Sequence, residues 1–296
     1  MTNAEIQSFL AICRCKTVTQ AAEQLYISQS ALSTRLRTLE RSLGDTLFYR
    51  QKGSREMILT PKGKAFFDLA VQYEAIVGQM EQLCREQTLS LRVASLNSLS
   101  SFLLPAVYEA FLQAHPEAEL EIQELELAQA CRNIQRGLTD LAFTAGIADV
   151  PGIKSIPIFS EPMVLILSGG ADIASPDDLQ TLPRRSEVYI PWCKAFVKWH
   201  QEAFRLGVQP QISVSSMDQL RIFMSRPGSW AIVPESVAAG LEKATAIRRR
   251  STPTDFPRRE IYCICPETPR DENASGPFLA CLRKVLQKCP NIDIKF

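Results

Sequence analysis

The sequence predicts an all-α head closed by a small β-wing, then a long linker helix, then a larger α/β body of two lobes. Three observations lead there: three short helical apolar patterns before Gly44, an apolar repeat in steps of three and four from Phe66, and alternating strand-like and helix-like segments from Leu89 onward. At 296 residues the chain has room for about two domains of the usual ~100–200 residues. The expected boundaries are 1–63 for the head, 64–88 for the linker helix and 89–296 for the body. Within the body, lobe 1 is expected at about 89–161 and 266–296, and lobe 2 at about 162–265.

In the head, Ile6, Phe9, Leu10 and Cys13 form one face of a first helix. A second helix follows Thr17, with Val18, Ala21, Ala22 and Leu25 repeating the spacing; its paired alanines let another helix approach closely. After a break at Tyr26-Ile27, Ser28 is an N-cap and the third helix runs through Ala31, Leu32, Leu36, Leu39 and Leu43 to Gly44, a left-handed stop. The leucines point inward. Gln29, Ser30, Ser33, Thr34, Arg35 and Arg37 collect on the opposite side, where short polar groups and guanidinium groups suit base edges and phosphate in a major groove. Leu47–Arg50 and Glu56–Leu59 read as two strands of a wing around a polar turn, with Lys52 and Arg55 placed to contact phosphate.

Charge agrees with this division. Residues 1–63 hold nine basic against five acidic side chains, +4, within a chain of net charge +1; the remainder is therefore slightly acidic. Nine cysteines, an odd number, at mostly apolar or helical positions read as reduced thiols. With only His115 and His200 besides, no metal site and no cofactor are expected. No export signal and no run of ~18 apolar residues is visible, so a cytoplasmic protein without a membrane span is expected.

The head resembles the LysR-type transcriptional regulators over residues 4–65. The match is carried by Thr19, Ala21-Ala22, Leu25, Ser28-Gln29-Ser30-Ala31-Leu32-Ser33, Leu39-Glu40, Leu43-Gly44, Leu47-Phe48, Arg50, Leu59-Thr60 and Gly63. Ser30 departs from the proline usual in that family, and serine also fits a helix's first turn. Thr19, Ser28 and Arg50 thereby join the expected DNA contacts. Thr60-Pro61 starts the linker helix, along which Phe66, Leu69, Tyr73, Ile76, Met80 and Leu83 have the spacing of the seam of a two-helix coiled coil, while packing against the protein's own body would use the same residues. The resemblance implies dimerisation through this helix, a homodimer or homotetramer, and an operator of double-stranded DNA carrying an inverted repeat.

The body alternates as a parallel α/β sheet would: strand Leu91–Ala94, helix Phe102–Gln113, strands Leu120–Leu125 and Asp140–Phe143. A second cycle opens at Met163–Leu167 and includes strands Tyr189-Ile190, Ile212–Val214 and Trp230–Val233, before strand Ile261–Cys265 and a helix from Pro277. Arg136–Ala142 and Pro227–Pro234 resemble the first-lobe and second-lobe patterns of the same family, whose sensor has a periplasmic-binding-protein-like fold. A ligand is expected between the lobes, at carboxyl ends of strands and N-termini of helices. Ser98, Ser100 and Ser101 after the first strand suit either an organic anion or the capping and turn formation natural to serines, and Thr144 after another strand is a further candidate; Trp192 is placed to stack on the ligand or to pack in the core, and Met217 is a weaker candidate.

These readings point to a DNA-binding regulator whose effector shifts the arrangement of an oligomer and its contacts with RNA polymerase. One alternative is redox sensing through Cys193, with Lys194 beside it to favour thiolate. Another is a two-lobed binding protein or enzyme. The sequence offers no nucleophile with histidine and carboxylate, no phosphate-cradling Gly-rich loop and no metal set, so no enzyme activity and no catalytic residue is expected.

Overall fold

Capping decides where each helix of the head begins. Thr2 accepts the Glu5 amide while Glu5 reaches back to the Thr2 amide, a reciprocal box that starts α1 (Asn3–Cys15). Thr17 accepts the Gln20 amide and starts α2 (Val18–Gln24), and Ser28 accepts the Ala31 amide and starts α3 (Gln29–Leu43). Gly44 ends α3 at φ 68°, donating its amide back into the last turn. The computed structural model describes residues 1–49, 56–83, 89–169, 179, 182–204, 209–250, 256–268 and 272–296, and divides into two units, Met1–Gln87 and Thr88–Phe296.

Phe9, Leu10, Ile12, Ala21, Leu32 and Leu39 are fully buried between the three helices. The wing base follows as β1 (Phe48–Tyr49) paired antiparallel with β2 (Ile58–Leu59), and the Phe48 ring lies 5.4 Å from that of Phe9. The expected wing contacts Arg50, Lys52 and Arg55 lie outside the described residues.

Helix α4 (Pro61–Leu83) has two apolar faces. Gly63, Ala70 and Val71 are buried against the head. Leu69, Ile76 and Met80 stand 61%, 49% and 60% exposed on the other side, and Tyr73 between them is half-buried. The expected seam therefore needs correction at Phe66, whose ring meets Phe9 edge-on at 5.0 Å: it belongs to the head's own core. The Leu83 side chain lies outside the described residues.

The second unit begins with β3 (Ser90–Ser95), α5 (Asn97–Phe102), α6 (Leu104–Ala114), β4 (Glu119–Glu124), α7 (Leu127–Gln135), β5 (Leu141–Thr144) and β6 (Ile153–Glu161). The chain then forms β7 (Met163–Ser168), β8 (Val188–Tyr189), α8 (Lys194–Ala203), β9 (Ile212–Ser213), α9 (Met217–Met224), β10 (Trp230–Pro234), α10 (Glu235–Ala244) and β11 (Ile247–Arg250). It returns through β12 (Arg259–Pro266), α11 (Glu272–Leu286) and β13 (Asp293–Ile294). Lobe 1 is a six-stranded sheet in the order β4, β3, β5, β12, β6, β13. Phe111, Phe143, Phe159 and Phe278 fill its core; Leu165, Phe196, Leu220 and Trp230 fill that of lobe 2.

Two expectations change. The lobe 1 sheet is mixed rather than parallel, because β12 runs antiparallel between β5 and β6, and the three-stranded sheet of lobe 2 is antiparallel, β7 pairing that way with both β10 and β11. For the same reason residues 259–265, expected in lobe 2, belong to lobe 1: the returning strand pairs with its sheet before the chain closes. Strand β6 escaped the sequence reading because Pro157 interrupts it. The structure accommodates the missing N–H with an irregularity in register, Ile261 pairing with Phe159 and Tyr262 with Pro157. The helix expected over Phe102–Gln113 is α6, with Pro105 in its first turn, and the short α5 before it is additional to the expected elements.

Candidate DNA-reading face and effector cleft

On α3 the expected contact residues are not all on one side. At about 100° per residue, Gln29, Ser33, Arg37, Ser30 and Thr34 occupy one continuous arc, and Arg35 lies about 160° round the helix from Ser33. Arg35 is half-buried beside the leucine stripe; it makes no hydrogen bond or ion pair with another described residue. Arg37 is exposed and folds along its own helix, Nε donating to the Ser33 carbonyl at 3.3 Å. Ser28 and Ser30 share a 2.9 Å hydroxyl hydrogen bond, so Ser28 both caps the helix and orients Ser30. Thr19 is exposed in the first turn of α2.

In the second unit most of the expected effector contacts are already engaged. Ser98 is buried and its hydroxyl accepts from Arg259 at 2.9 Å. Arg259 is 1% exposed, donates to Glu161 through Nε at 2.9 Å and Nη2 at 2.6 Å, and lies 5.6 Å from the Trp192 ring centre. Glu161, itself 0% exposed, also accepts the Ser236 amide of lobe 2 at 2.8 Å. One buried ion pair thus joins β12, the end of β6, α5 and α10. Nothing in the run Arg258-Arg259-Glu260 distinguishes it from a solvated charge cluster; only the register of β12 turns Arg259 inward.

The other expected residues divide. Thr144 is buried and donates to the Gly146 carbonyl at 2.9 Å; Met217 is buried, and its amide donates to Asn97 across the lobes at 2.8 Å. Ser100 is half-buried and Ser101 exposed. Trp192 is a core residue with its indole N–H donating to the Ile232 carbonyl at 2.8 Å, and it also lines a cleft.

That cleft, about 1160 Å³, opens between the lobes. Leu96, Leu127 and Ile147 line it from carboxyl ends of β3, β4 and β5, and Trp192 to Ala195 line it from the start of α8. Its back wall is charged but paired. Arg258 meets Asp293 at 2.8 Å, and Lys295 meets Glu260 at 2.7 Å. The hydrogen bonds from Lys295 and then Tyr262 hold the Glu260 carboxyl below its ordinary range, and the bond to Glu260 in turn raises the Tyr262 phenol. On the lobe 2 side Lys194 is exposed and has no partner among the described residues, and Lys198 one turn on reaches only Glu202 at 4.0 Å. Glu126 is the exposed anion opposite. Sequence reasoning named Lys194 only as a neighbour of Cys193 and missed Lys198, because it looked for hydroxyls after the first strand.

Cys193 stands at the N-cap of α8, half-buried in the cleft wall, and its thiol caps no amide. Cys263 and Cys265 share a hydrogen bond on β12 that raises the first thiol and lowers the second. His200 is buried in lobe 2 with Nε2 2.7 Å from Glu187. Among the described residues no group of histidines, cysteines and carboxylates is placed to hold a metal.

Residues 4–64 match the profile of the bacterial regulatory helix-turn-helix proteins of the lysR family, and residues 85–287 match the LysR substrate binding domain. The chain belongs to the LysR family. Within it, the chain is 32% identical over 167 residues to the probable cat1 operon transcriptional activator of Acinetobacter lwoffii, covering 55% of this chain and 54% of that protein. It is 27% identical over 269 residues to the HTH-type transcriptional regulator YofA of Bacillus subtilis, covering 89% of this chain and 92% of YofA. For the first two curated relatives, alignments span about half of their length. The LysR family regulator CbnR shares the fold with a TM-score of 0.72 at 20% identity, over 96% of this chain and 99% of that one. No helix among the described residues is long and apolar enough to cross a membrane.

Proposed function

We propose that this chain is a cytoplasmic, sequence-specific DNA-binding transcription regulator, not an enzyme, controlled by a small organic anion held between the two lobes. The observation that carries the reading is the presence, in one chain, of a helix-turn-helix head with an exposed polar arc on α3 and a two-lobed body with a cleft of about 1160 Å³. Gln29, Ser30, Ser33 and Thr34 read base edges, and Arg37 binds phosphate, with Arg35 meeting the backbone from the flank; Thr19, Ser28, Arg50, Lys52 and Arg55 complete the contact set. Lys194, without a partner among the described residues, and Lys198, held only by Glu202 at 4.0 Å, favour an anionic effector, with Trp192 as its apolar wall. Occupancy shifts the lobes of a homodimer or homotetramer, and with them its contacts with RNA polymerase.

DNA binding is tested with a duplex enriched by the full-length protein from a randomised pool. Arg37→Ala is expected to weaken binding to all duplexes alike and to reduce the salt slope by about one. Gln29→Ala is expected to relax preference at one base pair, by about tenfold. Unchanged affinity, salt slope and preference in both variants would remove α3 from the interface.

The outward face of α4 pairs with a second copy. Leu69→Glu/Met80→Glu places two charges on that face, and sedimentation is expected to show smaller species. Operator affinity is expected to fall about 100-fold or more as two-headed binding is lost. An unchanged sedimentation coefficient and affinity would refute pairing through this face.

A further inference from the structure

Tyr26 lies in the turn between α2 and α3 with φ 54°, in the left-handed region that aromatic side chains rarely adopt. The backbone has a reason for that conformation: the Ile27 amide reaches back to the Ala22 carbonyl at 3.0 Å and the Tyr26 amide to Glu23 at 3.1 Å, the hydrogen bonds of a left-handed helix stop. Glycine or asparagine satisfies such a turn at less strain. The side chain has no internal reason for being tyrosine. It is 97% exposed, and its phenol makes no hydrogen bond and its ring no aromatic contact with any described residue. Two residues further on, Ser28 caps the helix whose exposed arc carries the proposed base readers.

From the coincidence of left-handed backbone, full exposure and position beside the start of α3, we propose that Tyr26 is a DNA-positioning residue. Its phenol donates a hydrogen bond to a backbone phosphate next to the groove that α3 enters. A recognition helix needs such fixed points on the backbone to set its depth and register, and a neutral phenol supplies one without displacing a counterion. The proposal rests on the reading of the head as a DNA reader, and the parent protein tests that reading separately.

Full-length parent, Tyr26→Phe and Tyr26→Asn are titrated by fluorescence anisotropy with the enriched duplex, with single-base-pair variants of it, and over a range of salt. Tyr26→Phe is expected to bind about three- to tenfold more weakly, equally on every duplex, with salt slope and melting temperature unchanged. Tyr26→Asn is expected to lose at least as much affinity while its head melts about 2–6 °C higher, because asparagine tolerates the left-handed turn. Stability and affinity moving in opposite directions is a result that a merely structural tyrosine does not produce. Parent-like affinity in Tyr26→Phe overturns the proposal, and a loss confined to one base pair overturns the phosphate assignment. Unchanged duplex binding with altered output in reconstituted transcription assigns Tyr26 to a protein partner instead. If the parent enriches no duplex, the DNA-reading head itself fails and Tyr26 with it.

Discussion

Replacing Arg259 by methionine is expected to destabilise the effector body by about 3–5 kcal/mol, because it leaves the Glu161 carboxylate buried without its cation. In a chain unit of this size that corresponds to a fall in melting temperature of about 6–20 °C. The loss reaches beyond one pair. Ser98 loses the donor to its hydroxyl, and the Trp192 ring loses the guanidinium beside it. The double variant Arg259→Met/Glu161→Gln is expected to recover a large part of the stability. Glutamine removes the stranded charge and keeps an oxygen to accept the hydrogen bond that the Ser236 amide donates. Urea unfolding followed by tryptophan fluorescence reads both variants. A single variant within about 1 kcal/mol of the parent, or a double variant no better than the single, would show that the pair is not held as described.

Gly63→Ala is the second large effect, in the head. A Cβ at position 63 would stand 2.1 Å from the Leu47 carbonyl oxygen and 3.0 Å from its carbon, and neither backbone atom can swing aside as a side chain would. That carbonyl is also the acceptor for the Thr60 amide at 2.9 Å, while the Leu47 amide donates to buried Glu40 at 2.8 Å. Moving Leu47 therefore disturbs the joint between α3, the wing and α4 together. The expected cost is about 2–3 kcal/mol, or a fall of about 8–24 °C in the head's transition, with the body's transition unmoved. Duplex binding is then lost at temperatures where the parent still binds. A head transition unchanged in Gly63→Ala would show that α4 approaches Leu47 less closely than described.

The head was largely legible because its signals are local. Thr17, Ser28 and Gly44 terminate helices through hydrogen bonds within four residues, and the leucines of α3 repeat at the helical period. The same locality explains the error at Arg35: grouping polar residues by their nearness in sequence ignored that two positions apart on a helix is most of half a turn. Phe66 shows a different limit. Its spacing fits the outward seam, yet it sits at the boundary between two apolar faces of α4, and only the position of Phe9 decides which face receives it.

In the body, strand and helix periods identified most segments, whereas the site depended on contacts across long sequence separations. Ser98 is polar and correctly placed after the first strand, but Arg259 from the returning strand already occupies its hydroxyl. Lys194 stood out in the sequence only as a neighbour of Cys193 and Lys198 not at all; α8 places both in the cleft wall.

The sequence by itself determined that the chain has a three-helix head followed by a short strand pair, a linker helix and a two-lobed α/β body, and which surface of α3 is polar. Tertiary structure alone decided that β12 joins the first lobe, that the Arg259–Glu161 pair is internal, and that Lys194 and Lys198 line the cleft while Ser98 is taken up by Arg259. The physical reason is range. Caps and periods act over a few residues and are written in the chain, whereas burial of a charge depends on which distant strand arrives beside it.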